Sequence, residues 1–275
     1  MLNLTLNYAE ISKALELFIR QEVTEPGFKK VVLGLSGGID SALVAGLAAR
    51  ALGPENVLGV RMPYQTSSAD SLSHAELVAN TFKIKMETKS ITSACDGYFS
   101  SDPDMNAQRK GNVMARMRMI TLFDLSFRDS ALVLGTSNKT ELMLGYGTWY
   151  GDMASAINPI GDLYKTQIWE LSRFIGVPEE VITKKPSADL WVGQTDEQEM
   201  GFSYPEADQI LYHMIDLRKK DEEIVELGFS TDLVKKIRRM VIRSQYKRRM
   251  PVIAKLTTRA VGTDFLYPRD WYQQV

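Results

Sequence analysis

Residues Ser36-Gly37-Gly38-Ile39-Asp40-Ser41 hold the densest chemistry in the chain. They follow the apolar run Val31–Leu35 and open the amphipathic pattern Ala42, Leu43, Ala45, Gly46, Ala49. A strand, a glycine turn and a helix start aim backbone N–H groups at one point, where the helix dipole favours an anion. Paired glycines let the backbone approach a phosphate with no Cβ in the way. Ser36 and Ser41 add hydroxyl donors. The loop lacks the Gly-Lys-Ser/Thr ending of a P-loop and the G-x-G-x-x-G spacing of a dinucleotide fingerprint. It carries instead an acid, Asp40. A carboxylate beside a polyphosphate is repelled unless a divalent cation bridges them, as Mg²⁺ does with one or two carboxylates. The plainer reading of Asp40 is a helix N-cap.

Gly135-Thr136-Ser137-Asn138-Lys139-Thr140-Glu141 is a second polar loop after a buried-type strand. Thr136 suits a ribose or base, and Glu141 suits the same cation. Glu141 also reads as a first-turn acid favoured by the helix dipole.

Elements that would position these loops recur along the chain. Strand-like runs fall at 31–36, 57–62, 84–90 and 131–136, with a fifth candidate at 156–160. Helical spacing occupies 8–22, 40–52, 69–82 and 106–128, then 165–175, 206–218 and 230–245. The alternation predicts an α/β fold: a doubly wound, parallel, five-stranded, Rossmann-like sheet with a helical C-terminal part. We read one domain over 1–275, made of an N-terminal helix (1–25), a nucleotide-binding core (26–165) and a helical part (166–275). Ligands of such sheets sit beyond the carboxyl ends of the strands. There the polar loops after the first, second (Arg61-Met62-Pro63-Tyr64) and fourth strands converge.

Composition narrows the class. The chain has 275 residues, is 44% hydrophobic and carries a net charge of −1, so nothing attracts nucleic acid or an anionic membrane in general. One cysteine, Cys95, excludes an intrachain disulfide or a multi-thiolate metal site; it reads as a small buried hydrophobe. With no signal-like or membrane-length apolar segment, a cytoplasmic protein is expected. Eight Lys/Arg without an acid over 235–249 read mostly as a solvated helix face.

The Ser-Gly-Gly-Ile-Asp-Ser loop resembles the pyrophosphate loop of N-type ATP pyrophosphatases, which cleave ATP between the α- and β-phosphates. Further segments narrow the resemblance: Gly111-Asn112-Val113-Met114-Ala115-Arg116, Gly135–Glu141, Tyr150-Gly151-Asp152, Leu163-Tyr164-Lys165-Thr166, Lys185–Glu197 and Tyr246-Lys247-Arg248. In this order, up to about residue 255, they look like those of NAD synthetases. The resemblance implies a carbon–nitrogen ligase that amidates deamido-NAD with ammonia, through an acyl-adenylate, giving NAD, AMP and pyrophosphate. A tRNA-modifying adenylating enzyme of the same superfamily is the alternative.

The resemblance also implies roles. Gly34, Leu35, Ser36, Gly37, Gly38, Ile39, Asp40 and Ser41 would hold ATP, with Arg61, Thr136, Lys165 and Ser187. Asp40 and Glu141 would hold Mg²⁺. Arg116, Trp149, Ala156, Tyr246 and Lys247 occupy deamido-NAD positions, although Trp149 and Ala156 replace a lysine and an aspartate common there. Asp152 is a candidate proton acceptor for ammonium, or a turn residue after Gly151. Residues 184–199 are the lid candidate. Apolar first-helix residues and the family resemblance point to a homodimer. No glutaminase is expected here, so ammonia arrives free or from a separate glutaminase.

Overall fold

The computed structural model describes residues 4–187, 195–262 and 264. After α1 (Tyr8–Thr24) the chain alternates β1 (Lys30–Gly34), α2 (Ile39–Leu52), β2 (Val57–Arg61), α3 (Ala69–Phe82) and β3 (Lys85–Thr88). Then come α4 (Thr92–Phe99), α5 (Ala107–Asp129), β4 (Ala131–Val133) and α6 (Lys139–Leu144). The helical part comprises α7 (Lys165–Ile175), α8 (Glu179–Ile182), α9 (Asp196–Met200), α10 (Tyr204–Leu211), a π-turn (Tyr212–Asp216), α11 (Asp221–Val225) and α12 (Thr231–Arg243).

The sheet is parallel, with strand order β3-β2-β1-β4. Among the described residues it has four strands, not the five expected. At the fifth position Ile157 makes a single bridge to Leu134. Pro159 has no N–H to extend the ladder, so pairing stops there. The chain winds outward from β1 to β3 and then crosses to β4 on the other side of β1. That reversal makes the β1/β4 carboxyl edge the topological switch point, where a crevice opens.

Both faces of the sheet are covered. On one, α2 packs under α1 and α7, and its Leu43, Val44 and Leu47 are fully buried. On the other, α5 lies across β1 and β4, over a cluster with Val32, Val60 and Cys95. Each aliphatic side chain fully buried in this way contributes about 1.5–3 kcal/mol. A third cluster joins α10, α11 and α12 to Tyr164. The first-helix residues Tyr8, Ile11 and Leu15 pack inward on the main core. Leu17 and Phe18 of that helix are exposed, and a further exposed apolar stripe lies on α5, at Ile120, Phe123 and Phe127. Among the described residues no helix is long and apolar enough to cross a membrane.

Candidate active site

The loops after β1 and β4 face each other across the switch point. Gly37 turns the first loop at φ +73°, in the left-handed region, and a Cβ there would lie 2.2 Å from the Ser71 carbonyl oxygen. Only glycine fits. The loop's hydroxyls hold its shape: Ser41 Oγ donates to the Gly38 carbonyl at 2.9 Å, and the Gly38 amide donates to Ser36 Oγ at 3.2 Å. Gly38, not Asp40, occupies the N-cap of α2. Asp40 stands in the first turn, which leaves its carboxylate available to the crevice.

Both carboxylates named from sequence meet one ammonium. Lys165 Nζ, at the start of α7, donates to Asp40 Oδ2 at 2.5 Å and lies 3.4 Å from Glu141 Oε1. Asn138 orients the pair. Its side chain donates to Asp40 Oδ1 at 2.9 Å and accepts from the Glu141 amide at 3.0 Å, while its own amide donates to Glu141 Oε2 at 3.3 Å. Glu141 is thus both the capping-box acid of α6 and a partner of Lys165 at the crevice. In the sequence the only signal for Asn138 is the Asn-x-x-Glu spacing of that cap.

Burial, and then the Asp40 charge, push the Glu141 carboxyl up, against the pull of Lys165. Burial alone would lower Lys165; Asp40 and Glu141 outweigh it and hold the ammonium charged. The Tyr204 ring lies 5.1 Å from Nζ. Asp196 backs the cluster, accepting from the Tyr204 hydroxyl at 2.9 Å and the Tyr146 hydroxyl at 3.2 Å. Burial raises its carboxyl too. Two carboxylates on one small cation leave a negative surplus, and this hard-oxygen donor pair fits a divalent cation that keeps its other positions for water and phosphate oxygens.

The crevice has a volume of about 540 Å³, inside the roughly 300–1,000 Å³ typical of small-molecule sites. Gly34, Leu35, Ser36, Gly38, Ile39, Asp40 and Ser41 line it, as do Arg61, Thr136, Lys165 and Ser187. Gly37 does not; it packs on Ser71. Arg61 is fixed by bonds to Thr88 and the Leu72 carbonyl. Of the proposed lid, residues 184–187 and 195–199 are described, and Lys184, Lys185, Pro186, Ser187, Asp196 and Glu199 line the cavity. Residues 188–194 lie outside the described residues.

The positions that the resemblance assigns to deamido-NAD divide. Lys247 lines the cavity and donates to the Gly145 and Gly147 carbonyls, both at 2.7 Å. Arg116, Trp149 and Tyr246 do not line it but gather beside it. Arg116 donates to the Trp149 carbonyl at 3.2 Å, and the Trp149 ring stacks on Tyr150 and meets Tyr246 edge-on. Ala156 sits at the sheet edge, with its amide on the Val133 carbonyl. Asp152 accepts from the Thr148 amide at 2.7 Å, a turn contact, and also lines the cavity. Desolvation at the cavity wall raises its carboxyl, against the Thr148 bond. Of the basic run, Lys236, Arg238 and Arg248 are engaged in structural contacts with Met200, Asp221 and the Leu142 carbonyl.

A family pattern described as NAD synthase matches residues 11–251. The chain belongs to that family. The NH(3)-dependent NAD(+) synthetase of Chlorobaculum parvum is 56% identical over 271 residues, covering 98% of both chains. That of Fusobacterium nucleatum is also 56% identical, over 93% of this chain and 99% of its own. Among solved structures, the NH3-dependent NAD synthetase of Campylobacter jejuni superposes with a TM-score of 0.78 at 33% identity, over 91% of this chain and all of its own. An NMN synthetase from Francisella tularensis gives 0.82 at 31%, over 92% of this chain and all of its own. NAD synthases thus share this fold along nearly the whole chain.

Proposed function

We propose that the chain amidates deamido-NAD with ammonia at the cost of ATP, as an NH3-dependent NAD synthetase. The observation that carries this reading is the convergence of Asp40 and Glu141 on Lys165 at the switch point. The nicotinate carboxylate is ionised at neutral pH and needs no base. Its oxygen attacks the α-phosphorus while the bond to the β-phosphate breaks and pyrophosphate departs. The barrier is the approach of an anion to a polyanion. Lys165 and the loop amides stabilise the charge that develops on the leaving group. Bound through Asp40 and Glu141, Mg²⁺ would supply further positive charge to the triphosphate. Ammonia then attacks the acyl carbon, and AMP leaves. Asp152, its carboxyl raised, accepts the proton that ammonium must lose. Segments 184–187 and 195–199 keep water from the adenylate.

The functional unit is a homodimer joined through α5. Arg116, Ile120, Phe123 and Phe127 recur on one face of that helix, and the three apolar members are exposed. Pairing there covers the stripe and carries each Arg116 toward the other copy's site.

The test compares ammonium with glutamine as nitrogen source, on deamido-NAD and on nicotinic acid mononucleotide. Ammonia-dependent amidation of the dinucleotide supports the reading. Strict need for glutamine, or turnover of the mononucleotide alone, contradicts it.

A further inference from the structure

Helix α10 touches both the Lys165 side chain and the first turn of the helix that carries it. Tyr204 places its ring against Nζ, and Asp208, one turn later on the same face, serves the backbone. Asp208 is fully buried and does not line the cavity. Its Oδ1 accepts from Thr140 Oγ1 at 2.5 Å, and its Oδ2 accepts from the Thr166 amide at 2.8 Å. Thr140 Oγ1 in turn accepts from the Lys165 amide at 3.0 Å. The first amides of a helix have no partner within it, and Tyr164, the N-cap of α7, makes no side-chain cap bond. A carboxylate from α10 and a hydroxyl from α6 therefore do the capping. One buried charge joins the helix start that carries Lys165 to the helix that carries Glu141. Burying a carboxylate costs several kcal/mol unless its oxygens are well bonded, and docking α7 by apolar contacts would avoid that cost.

We propose that Asp208 is a positioning residue, which through Thr140 and Thr166 sets the start of α7 so that Lys165 reaches Asp40 and Glu141. The inference rests on the reading of the reaction given above. An asparagine can accept at only one oxygen, so Asp208→Asn loosens one of the two ties at nearly constant shape. Thr140→Val breaks the bridge to the Lys165 amide while leaving the Asp208–Thr166 bond.

Steady-state kinetics of folded D208N and T140V, alone and combined with Lys165→Met, provide the test. We expect kcat to fall about 10–100-fold in either single variant, as displacement of a reacting group by about 1 Å does. KM for Mg-ATP stays within about threefold. In the K165M background D208N costs less than about twofold, because its effect runs through a side chain already absent. Crystal structures of the two variants provide a readout independent of turnover: the Lys165–Asp40 contact is lost or lengthened. Should D208N fail to fold, T140V carries both measurements. The inference is overturned if folded variants keep native kcat, if the full D208N cost persists without Lys165, or if Lys165 still sits on Asp40. A wild type unable to amidate deamido-NAD would sink the reaction reading, while the crystallographic comparison would still decide the role of Asp208.

Discussion

Lys165 and Asp40, 125 residues apart in sequence, meet at 2.5 Å across the switch point of the sheet. Asp40 arrives on the loop after β1, Lys165 at the first turn of α7, and Glu141 after β4 joins the same ammonium at 3.4 Å. Three distant segments are thereby held to one point, so the site is only as well formed as the fold that closes it.

Lys165→Met keeps the apolar stem and removes the charge. Its kcat should fall about 10²–10³-fold, the usual cost of losing one preorganised group at a developing charge. Rapid-quench measurement of adenylate formation locates the loss. A defect in the amidation step alone would place Lys165 elsewhere in the reaction.

Gly37→Ala should be far worse than Gly38→Ala. The first meets both a positive φ and the Ser71 carbonyl at 2.2 Å; the second meets only the Ser36 hydroxyl at 3.3 Å. The left-handed conformation alone costs an alanine about 1–2 kcal/mol. Thermal melts and Mg-ATP titrations of both variants give the order, and equal behaviour would remove the role assigned to the turn.

Phe127 is 91% exposed on the α5 stripe. Phe127→Glu should convert a dimer into a monomer in sedimentation equilibrium, with little change in the far-UV spectrum. A monomeric wild type, or a dimer indifferent to the charge, would place the contact on another face.

His213 is buried, and its Nδ1 has no hydrogen-bond partner among the described residues. Burial, with the nearby Lys219 charge, lowers its pKa from the ordinary 6.5. The unfolded chain therefore binds this proton at a higher pH than the folded one. Stability is fully present above pH 6.5 and falls as the pH drops toward the folded value, by up to about 1.4 kcal/mol per pH unit. Denaturant melts from pH 7.5 to 5 should show this slope, and His213→Phe should flatten it.

The loop after β1 was legible because local chemistry fixes it. An apolar run and paired glycines ahead of a helical pattern specify a strand, a turn and a helix start, and the turn puts Asp40 at the crevice. At 156–160 Ile157 and Ile160 suggest a strand, but Pro159 denies the ladder its donor and only one bridge forms. Asp208 could not be found from sequence. Its pattern is that of an ordinary amphipathic helix, and its partners Thr140 and Thr166 lie 68 and 42 residues away. The positions expected to meet deamido-NAD are divided for a related reason. Arg116, Trp149 and Tyr246 gather on an exposed surface beside the cavity, a place that a single chain's periodicity does not reveal.

The fate of ATP is the most direct measure of the bond that the site around Asp40, Glu141 and Lys165 is proposed to break. Chromatography of the nucleotides, after incubation with deamido-NAD, ammonium and Mg²⁺, should show AMP and pyrophosphate formed one for one with NAD. Production of ADP and phosphate in step with NAD would contradict the account.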